Sequence, residues 1–314
     1  MSRSAAHDER NKALREVFSS PFALAATATP TAEIISNYAK ERNIEHRVEE
    51  IPNSEGARLH WLGNPSARKV VLYYHGGGFA VPILRGHLIF WSEALDKLSA
   101  EGKDVLVAFL EYGLTKDGVK FPVQVLQGTE ALREILEKGF EPQNIIVAGD
   151  SAGANLVLAV ISVILHPFEA VQPLRLKSPL AGLLLISPWT KYDNDSQSWD
   201  DNASKDATTK TCVSQLSSAY VLPEQRNPYS EPSIADATWW RGIPANKILN
   251  IYGGYEGLKD DTTELGRKLL VAGNPVENVE CPMQVHIDFV LDAESGLEPG
   301  LMTSRILDWL SITL

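Results

Sequence analysis

From Lys69 onward the chain repeats one pattern, a short apolar run followed by a longer segment with helical spacing. Lys69 to Tyr74, Asp104 to Leu110, Ile145 to Ala148, Gly182 to Ile186, Ile248 to Tyr252 and Val276 to Glu280 read as strands. Gly86 to Glu101, Val123 to Lys138, Ala154 to Leu165, Thr262 to Ala272 and Leu301 to Leu310 read as helices. Parallel neighbours need a crossover between them, and a helix is the usual one. The alternation therefore predicts an α/β chain with a mostly parallel sheet covered on both faces. Ahead of it, Glu45 to Ile51 and Ala57 to Leu62 read as a hairpin. Asp8 to Phe18 and Thr31 to Arg42 read as two helices, with Leu14, Val17 and Phe18, then Ile34, Ile35 and Tyr38, at helical spacing. These two helices carry apolar faces but no chemistry.

One stretch breaks the pattern. Thr190 to Ala245 is polar, carries Pro223, Pro228, Pro232 and Pro244, and is too long for a plain loop. Trp199, Trp239 and Trp240 argue against a disordered excursion. The expected organisation is N-terminal cap helices over 1–45, the first part of the core over 46–189, a cap insertion over 190–245 and the second part of the core over 246–314. A lid rich in tryptophan suggests a mostly apolar ligand.

Composition closes off several classes. Apolar residues make up 44% and charged residues 22%, as in ordinary globular chains, which excludes a disordered chain, a collagen or a coiled coil. A formal net charge of -11 repels phosphate backbones, so nucleic acid is not an expected partner. Cys212 and Cys281 lie far apart and form no metal-ligand spacing, which fits a reducing, cytoplasmic setting. Met1 to Arg15 lacks the apolar centre of a secretory signal, and no run approaches the ~18 apolar residues of a membrane span. No integral membrane segment is expected. The oligomeric state stays open, a homodimer included.

Gly149-Asp150-Ser151-Ala152-Gly153 sits between an apolar strand and an apolar helix. A sharp strand-to-helix turn exposes a serine hydroxyl, and small flanking residues avoid collision. The helix start supplies free N–H groups and partial positive charge beside the reacting oxygen. Tyr74-His75-Gly76-Gly77-Gly78-Phe79 follows another strand, and its glycines let main-chain N–H groups approach a developing oxyanion. With the Ala152 N–H, two of them would make a hole of three donors. The loop lacks the Lys-Ser/Thr pair of a phosphate loop.

A serine needs a base. Of the seven histidines, only His286 lies after the last expected strand, where the chain order Ser, acid, His puts it. The acid should follow the preceding strand, where Glu256, Asp260 and Asp261 are candidates. Asp260 and Asp261 suit the first turn of the next helix, where acids favour the helix dipole. Glu256 is the better choice to hold the imidazole tautomer, with Asp260 the alternative.

His75-Gly-Gly-Gly-Phe79 together with Gly149-Asp-Ser-Ala-Gly153 resembles the hormone-sensitive-lipase-like esterases of the α/β-hydrolase superfamily. Ser187-Pro188-Trp189 and Asn227-Pro228-Tyr229 are most similar to the fungal branch near steryl acetyl hydrolases. The resemblance runs from about Lys69 to the C-terminus. It implies the α/β-hydrolase fold with a helical cap, a Ser151 nucleophile, a His286 base, an acid at Glu256, and oxyanion donors at Gly77, Gly78 and Ala152. His75 is usually structural in such a loop. Two features depart from the family pattern: Glu256 stands where Asp is usual, and Glu111-Tyr112-Gly113-Leu114-Thr115-Lys116 stands where Asp-Tyr-Arg-Leu-Ala-Pro is typical.

The expectation is a serine carboxylic-ester hydrolase working through an acyl-enzyme, with no cofactor and no metal. The resemblance suggests a short acyl group such as acetyl, on a small-molecule ester of an apolar alcohol. The alternative is a biosynthetic enzyme of secondary metabolism using the same residues for acyl transfer, lactonisation or another non-hydrolytic step. A non-catalytic ligand-binding protein is a further reading, opposed by the presence of both Ser151 and His286. An amidase is a third.

Overall fold

The computed structural model describes residues 4–314; residues 1–3, the first of the expected 1–45 unit, lie outside the described residues. Eight strands form one sheet: β1 (His46–Glu50), β2 (Arg58–Gly63), β3 (Lys69–Tyr74), β4 (Val105–Glu111), β5 (Ile145–Asp150), β6 (Gly182–Ile186), β7 (Ile248–Gly253) and β8 (Val276–Cys281). Their order is β1-β2-β4-β3-β5-β6-β7-β8. From β4 to β8 every neighbouring pair is parallel. The expected hairpin forms the antiparallel end, with β2 antiparallel to both β1 and β4.

The helices are α1 (Ala5–Phe18), α2 (Pro21–Thr27), α3 (Thr31–Arg42), α4 (Arg85–Ala100), α5 (Val123–Glu137), α6 (Ala152–Leu165), α7 (Gln197–Asp201), α8 (Lys210–Tyr220), α9 (Lys259–Val271), α10 (Asp288–Ser295) and α11 (Leu301–Thr313). Successive strand side chains point to opposite faces, and here both faces are buried. Val70, Leu72 and Tyr74 of β3 pack with α5, α6 and α9. Val71 and Tyr73 pack with α3, α4, α10 and α11 on the other side. Beyond the hairpin the strands connect through helices that cover the sheet, and the β3, β5 and β7 ends bring their following loops to one edge of the sheet.

Two helices had not been expected, α2 and α10. Residues 190–245 hold α7, α8 and three short 3-10 turns. The tryptophans of this stretch anchor it rather than face a ligand. Trp240 is buried, Trp239 donates to Ser162 Oγ at 3.0 Å, and Trp199 packs against Gly257. No helix among the described residues is long and apolar enough to cross a membrane.

Candidate active site

Strand β5 ends in a bend at Ser151, whose φ of 53° and ψ of -118° fall outside the regions ordinary side chains favour. The bend is held by Ser151 N–H donating to Ile186 and Ser151 C=O accepting from Trp189. It needs small neighbours: a Cβ on Gly153 would lie 1.9 Å from the Tyr74 carbonyl oxygen. The result is a hydroxyl standing at the N-terminus of α6, 8% exposed.

His286 follows β8 and precedes α10. Its Nε2 lies 2.9 Å from Ser151 Oγ, and its Nδ1 lies 3.1 Å from Glu256 Oε2. With Nδ1–H donated to Glu256, Nε2 is left to accept the serine proton. Glu256 is fully buried; its Oε1 accepts from Ser187 Oγ and from the Gly253 N–H, each at 2.5 Å. The other candidate acids are elsewhere. Asp260 accepts from the Ser198 N–H and Asp261 from Ser196 Oγ. Burial alone would lower the His286 pKa, but the Glu256 bond and the charges of Glu256, Asp206 and Asp150 overcome it and hold the imidazole above its ordinary range.

The loop after β3 faces the hydroxyl. Gly77 has φ 102°, and a Cβ there would lie 2.5 Å from the Val81 carbonyl oxygen. Among the described residues the N–H groups of Gly77, Gly78 and Ala152 donate to no other group, which leaves them for an incoming oxygen. His75 is buried, bonds the Gly76 carbonyl through Nδ1 at 2.7 Å, and is held neutral by burial, its pKa lowered to about 4. The segment 111–116 that departs from the family pattern braces this loop. Tyr112 stacks on His75 and donates to its carbonyl at 2.7 Å, and the Thr115 N–H donates to the Phe79 carbonyl at 2.7 Å.

Three residues near the site escaped the sequence reading. Asp150 is buried beside the serine, and its Oδ1 accepts from Tyr73 Oη, the Gly76 N–H and His87 Nε2. It thereby ties the glycine loop and α4 to β5. The third is Asp206, buried in the insertion. Asp150 stands inside the serine motif, but at its variable position, and Asp206 and His87 stand in no motif, so only the folded contacts show what the three hold.

A cavity of about 80 Å³ opens at Ser151 and His286. Its walls come from both flanking units: Phe18 and Pro21 from the N-terminal helices, and Cys212, Val213 and Leu216 from α8. Of the tryptophans only Trp189 lines it, so its apolar character comes from aliphatic side chains and Phe18, not from the tryptophans of the insertion. Among the described residues no group of three or more His, Cys, Asp or Glu could hold a metal. A hydroxyl, an imidazole and a carboxylate in line, with free amides beside the hydroxyl, can carry out acyl transfer through a serine ester.

Residues 71–290 match the α/β hydrolase fold family. An acetyl-hydrolase of Streptomyces hygroscopicus is 30% identical over 221 residues, 70% of this chain and 68% of that protein. A putative steryl acetyl hydrolase of Schizosaccharomyces pombe is 24% identical over 283 residues, 85% of this chain and 71% of that protein. Among solved structures, an esterase of the bacterial hormone-sensitive lipase family superposes with a TM-score of 0.73 at 23% identity, covering 100% of this chain and 99% of that one.

Proposed function

The chain is a hormone-sensitive-lipase-like member of the α/β hydrolase fold family and a carboxylic ester hydrolase, and from that premise we propose that Ser151, His286 and Glu256 are its triad and Gly77, Gly78 and Ala152 its oxyanion donors. The unbroken relay from Glu256 Oε2 through His286 to Ser151 Oγ carries this reading. Ser151 Oγ attacks the ester carbonyl as His286 Nε2 takes its proton. The three N–H groups hold the negative oxygen of the tetrahedral intermediate. His286 returns the proton to the departing alcohol, and water, activated by the same imidazole, hydrolyses the acyl-enzyme. Glu256 holds the ring orientation and stabilises the imidazolium.

The substrate proposed is a short-acyl, acetyl-like ester of an apolar alcohol. The aliphatic wall that Val213 and Leu216 set beside Ser151 supports an apolar substrate, and the acetyl-hydrolase and steryl acetyl hydrolase relatives support an acetyl-like acyl group. Residues 1–45 and 190–245 are read as a cap on the core of 46–189 and 246–314. Two buried free cysteines support a cytoplasmic setting.

Turnover of p-nitrophenyl esters from acetate to longer chains, by the wild type and by Ser151→Ala, tests the proposal. Rapid acetate hydrolysis lost in the variant is expected. Turnover retained by Ser151→Ala rejects Ser151 as nucleophile, and preference for long chains rejects the acetyl-like substrate.

A further inference from the structure

Asp206 lies between α7 and α8 and is 1% exposed. Its carboxylate is occupied by three main-chain N–H groups. Oδ1 accepts from Ala207 at 2.7 Å and from His286 at 3.0 Å, and Oδ2 accepts from Gly257 at 2.8 Å. Gly257 follows Glu256, so one carboxylate joins the loop of the base to the loop of the acid. Helix α1 holds the main chain that carries this carboxylate: Arg15 donates to the Asp206 carbonyl at 2.5 Å, and Asn11, itself buried, donates to the Lys205 carbonyl at 3.3 Å.

We propose that Asp206 is a positioning residue for ester hydrolysis, fixing the main chains of His286 and Gly257 relative to each other and favouring, by its charge, the imidazolium that forms as Ser151 attacks. This rests on His286 and Glu256 as base and orienting acid. A buried carboxylate is costly unless its oxygens are satisfied, and here main-chain donors satisfy them. An asparagine would fit the space but would turn an N–H₂ toward the His286 or the Gly257 N–H, donor against donor. Glutamate would keep the charge and overshoot the three donors. The ionisable groups around the pair are Glu256, Asp150 of β5, Asp288 of α10, Arg10 and Arg15 of α1, and Lys205. Burial lifts the Asp206 carboxyl to about 6, against the pull of His286 and the two amides, so it is charged at neutral pH and its charge bears on His286.

The test is the pH profile of kcat/KM for p-nitrophenyl acetate between pH 5 and 9, with wild type, Ser151→Ala, His286→Ala, Glu256→Gln, Asp206→Asn and Asp206→Glu, folding checked by circular dichroism. Wild-type turnover lost in Ser151→Ala and in His286→Ala, and strongly reduced in Glu256→Gln, establishes the underlying reading independently of Asp206. For Asp206→Asn the expected result is a kcat lower by roughly 10–100-fold with little change in KM, and an acidic limb displaced to lower pH. For Asp206→Glu it is a lower kcat with the acidic limb where the wild type has it. A wild-type kcat in a folded Asp206→Asn overturns the proposal, and so does a lower kcat with an unmoved acidic limb, which marks a merely structural role. If Asp206→Asn does not fold, Asp206→Glu decides, and wild-type kcat in it overturns the proposal.

Discussion

Glu256 Oε2 accepts the Nδ1–H of His286 at 3.1 Å while the other oxygen of the same carboxylate is held by Ser187 and Gly253. The carboxylate cannot rotate without losing two bonds, so it fixes both the ring plane and the tautomer.

Glu256→Gln should therefore lower kcat by on the order of 10²–10⁴, because an amide in this place supports the wrong tautomer. The pH profile should move as well. The carboxylate is one of the groups that hold His286 above its ordinary range, and the imidazole must be neutral to act as base. Activity thus falls as pH drops through the His286 pKa, and removing the charge moves that acidic limb to lower pH. Asp260→Asn should leave both kcat and the limb unchanged, since Asp260 accepts from the Ser198 N–H instead.

Gly77→Ala places a Cβ 2.5 Å from the Val81 carbonyl oxygen at a φ that side chains avoid, so the loop must shift. A displaced oxyanion donor typically costs on the order of 10²–10³ in kcat. Steady-state kinetics on p-nitrophenyl acetate should show that loss in kcat with KM changed far less, because the donors act on the tetrahedral intermediate rather than on the bound ester.

Leu216 closes the cavity from α8, so close to the glycine loop that a Cβ on Gly78 would meet its side chain at 2.4 Å. Leu216→Ala should lengthen the space available to the acyl group. The ratio of kcat/KM for hexanoate over acetate should rise by about 10-fold or more, the scale that methylene-sized changes in an apolar pocket bring. An unchanged ratio would place the acyl group elsewhere in the cavity.

How far the sequence could be read follows from burial. Strands β3, β5 and β6 are covered on both faces, so apart from Lys69 and the Gly149-Asp150 end of β5 they are continuous apolar runs that stand out. Strand β8 is half exposed and was legible chiefly because the alternation demanded a strand there. Helices α2 and α10 are short, and α10 begins directly behind His286 with Ile287 in a left-handed conformation, so no cap residue announces it. In the site, the serine and the glycine loop are local motifs that a linear pattern contains. The acids are not. Glu256, Asp260 and Asp261 lie within six positions of one another; the expected helix start favours Glu256 over the other two, and the folded path of β7 and α9 brings Glu256 to His286 and turns Asp260 and Asp261 to Ser198 and Ser196. Asp206 sits between Lys205 and Ala207 in a polar stretch, where a carboxylate reads as surface; its partners are main-chain groups, which leave no trace in side-chain identity.

Arg10 links the N-terminal helix to the helix behind His286, pairing with Asp288 and Asp292 of α10 through side chains that are 8%, 5% and 2% exposed. Breaking a buried pair leaves uncompensated charge, so Arg10→Ala should destabilise the fold by about 3–5 kcal/mol, a loss of several degrees in Tm. The loss should depend on pH. Burial and the neighbouring Asp288 lift the Asp292 carboxyl to about 6, while Arg10 pulls it down. A carboxyl whose folded pKa exceeds its unfolded value keeps its proton longer in the folded state, so it contributes less stability as pH rises through that interval. Without Arg10 the Asp292 pKa climbs further and the interval extends upward. Thermal unfolding of wild type and Arg10→Ala should therefore show a larger difference in Tm at pH 8 than at pH 5. An equal difference at both would mean that the stability Arg10 supplies is not linked to the ionisation of Asp292.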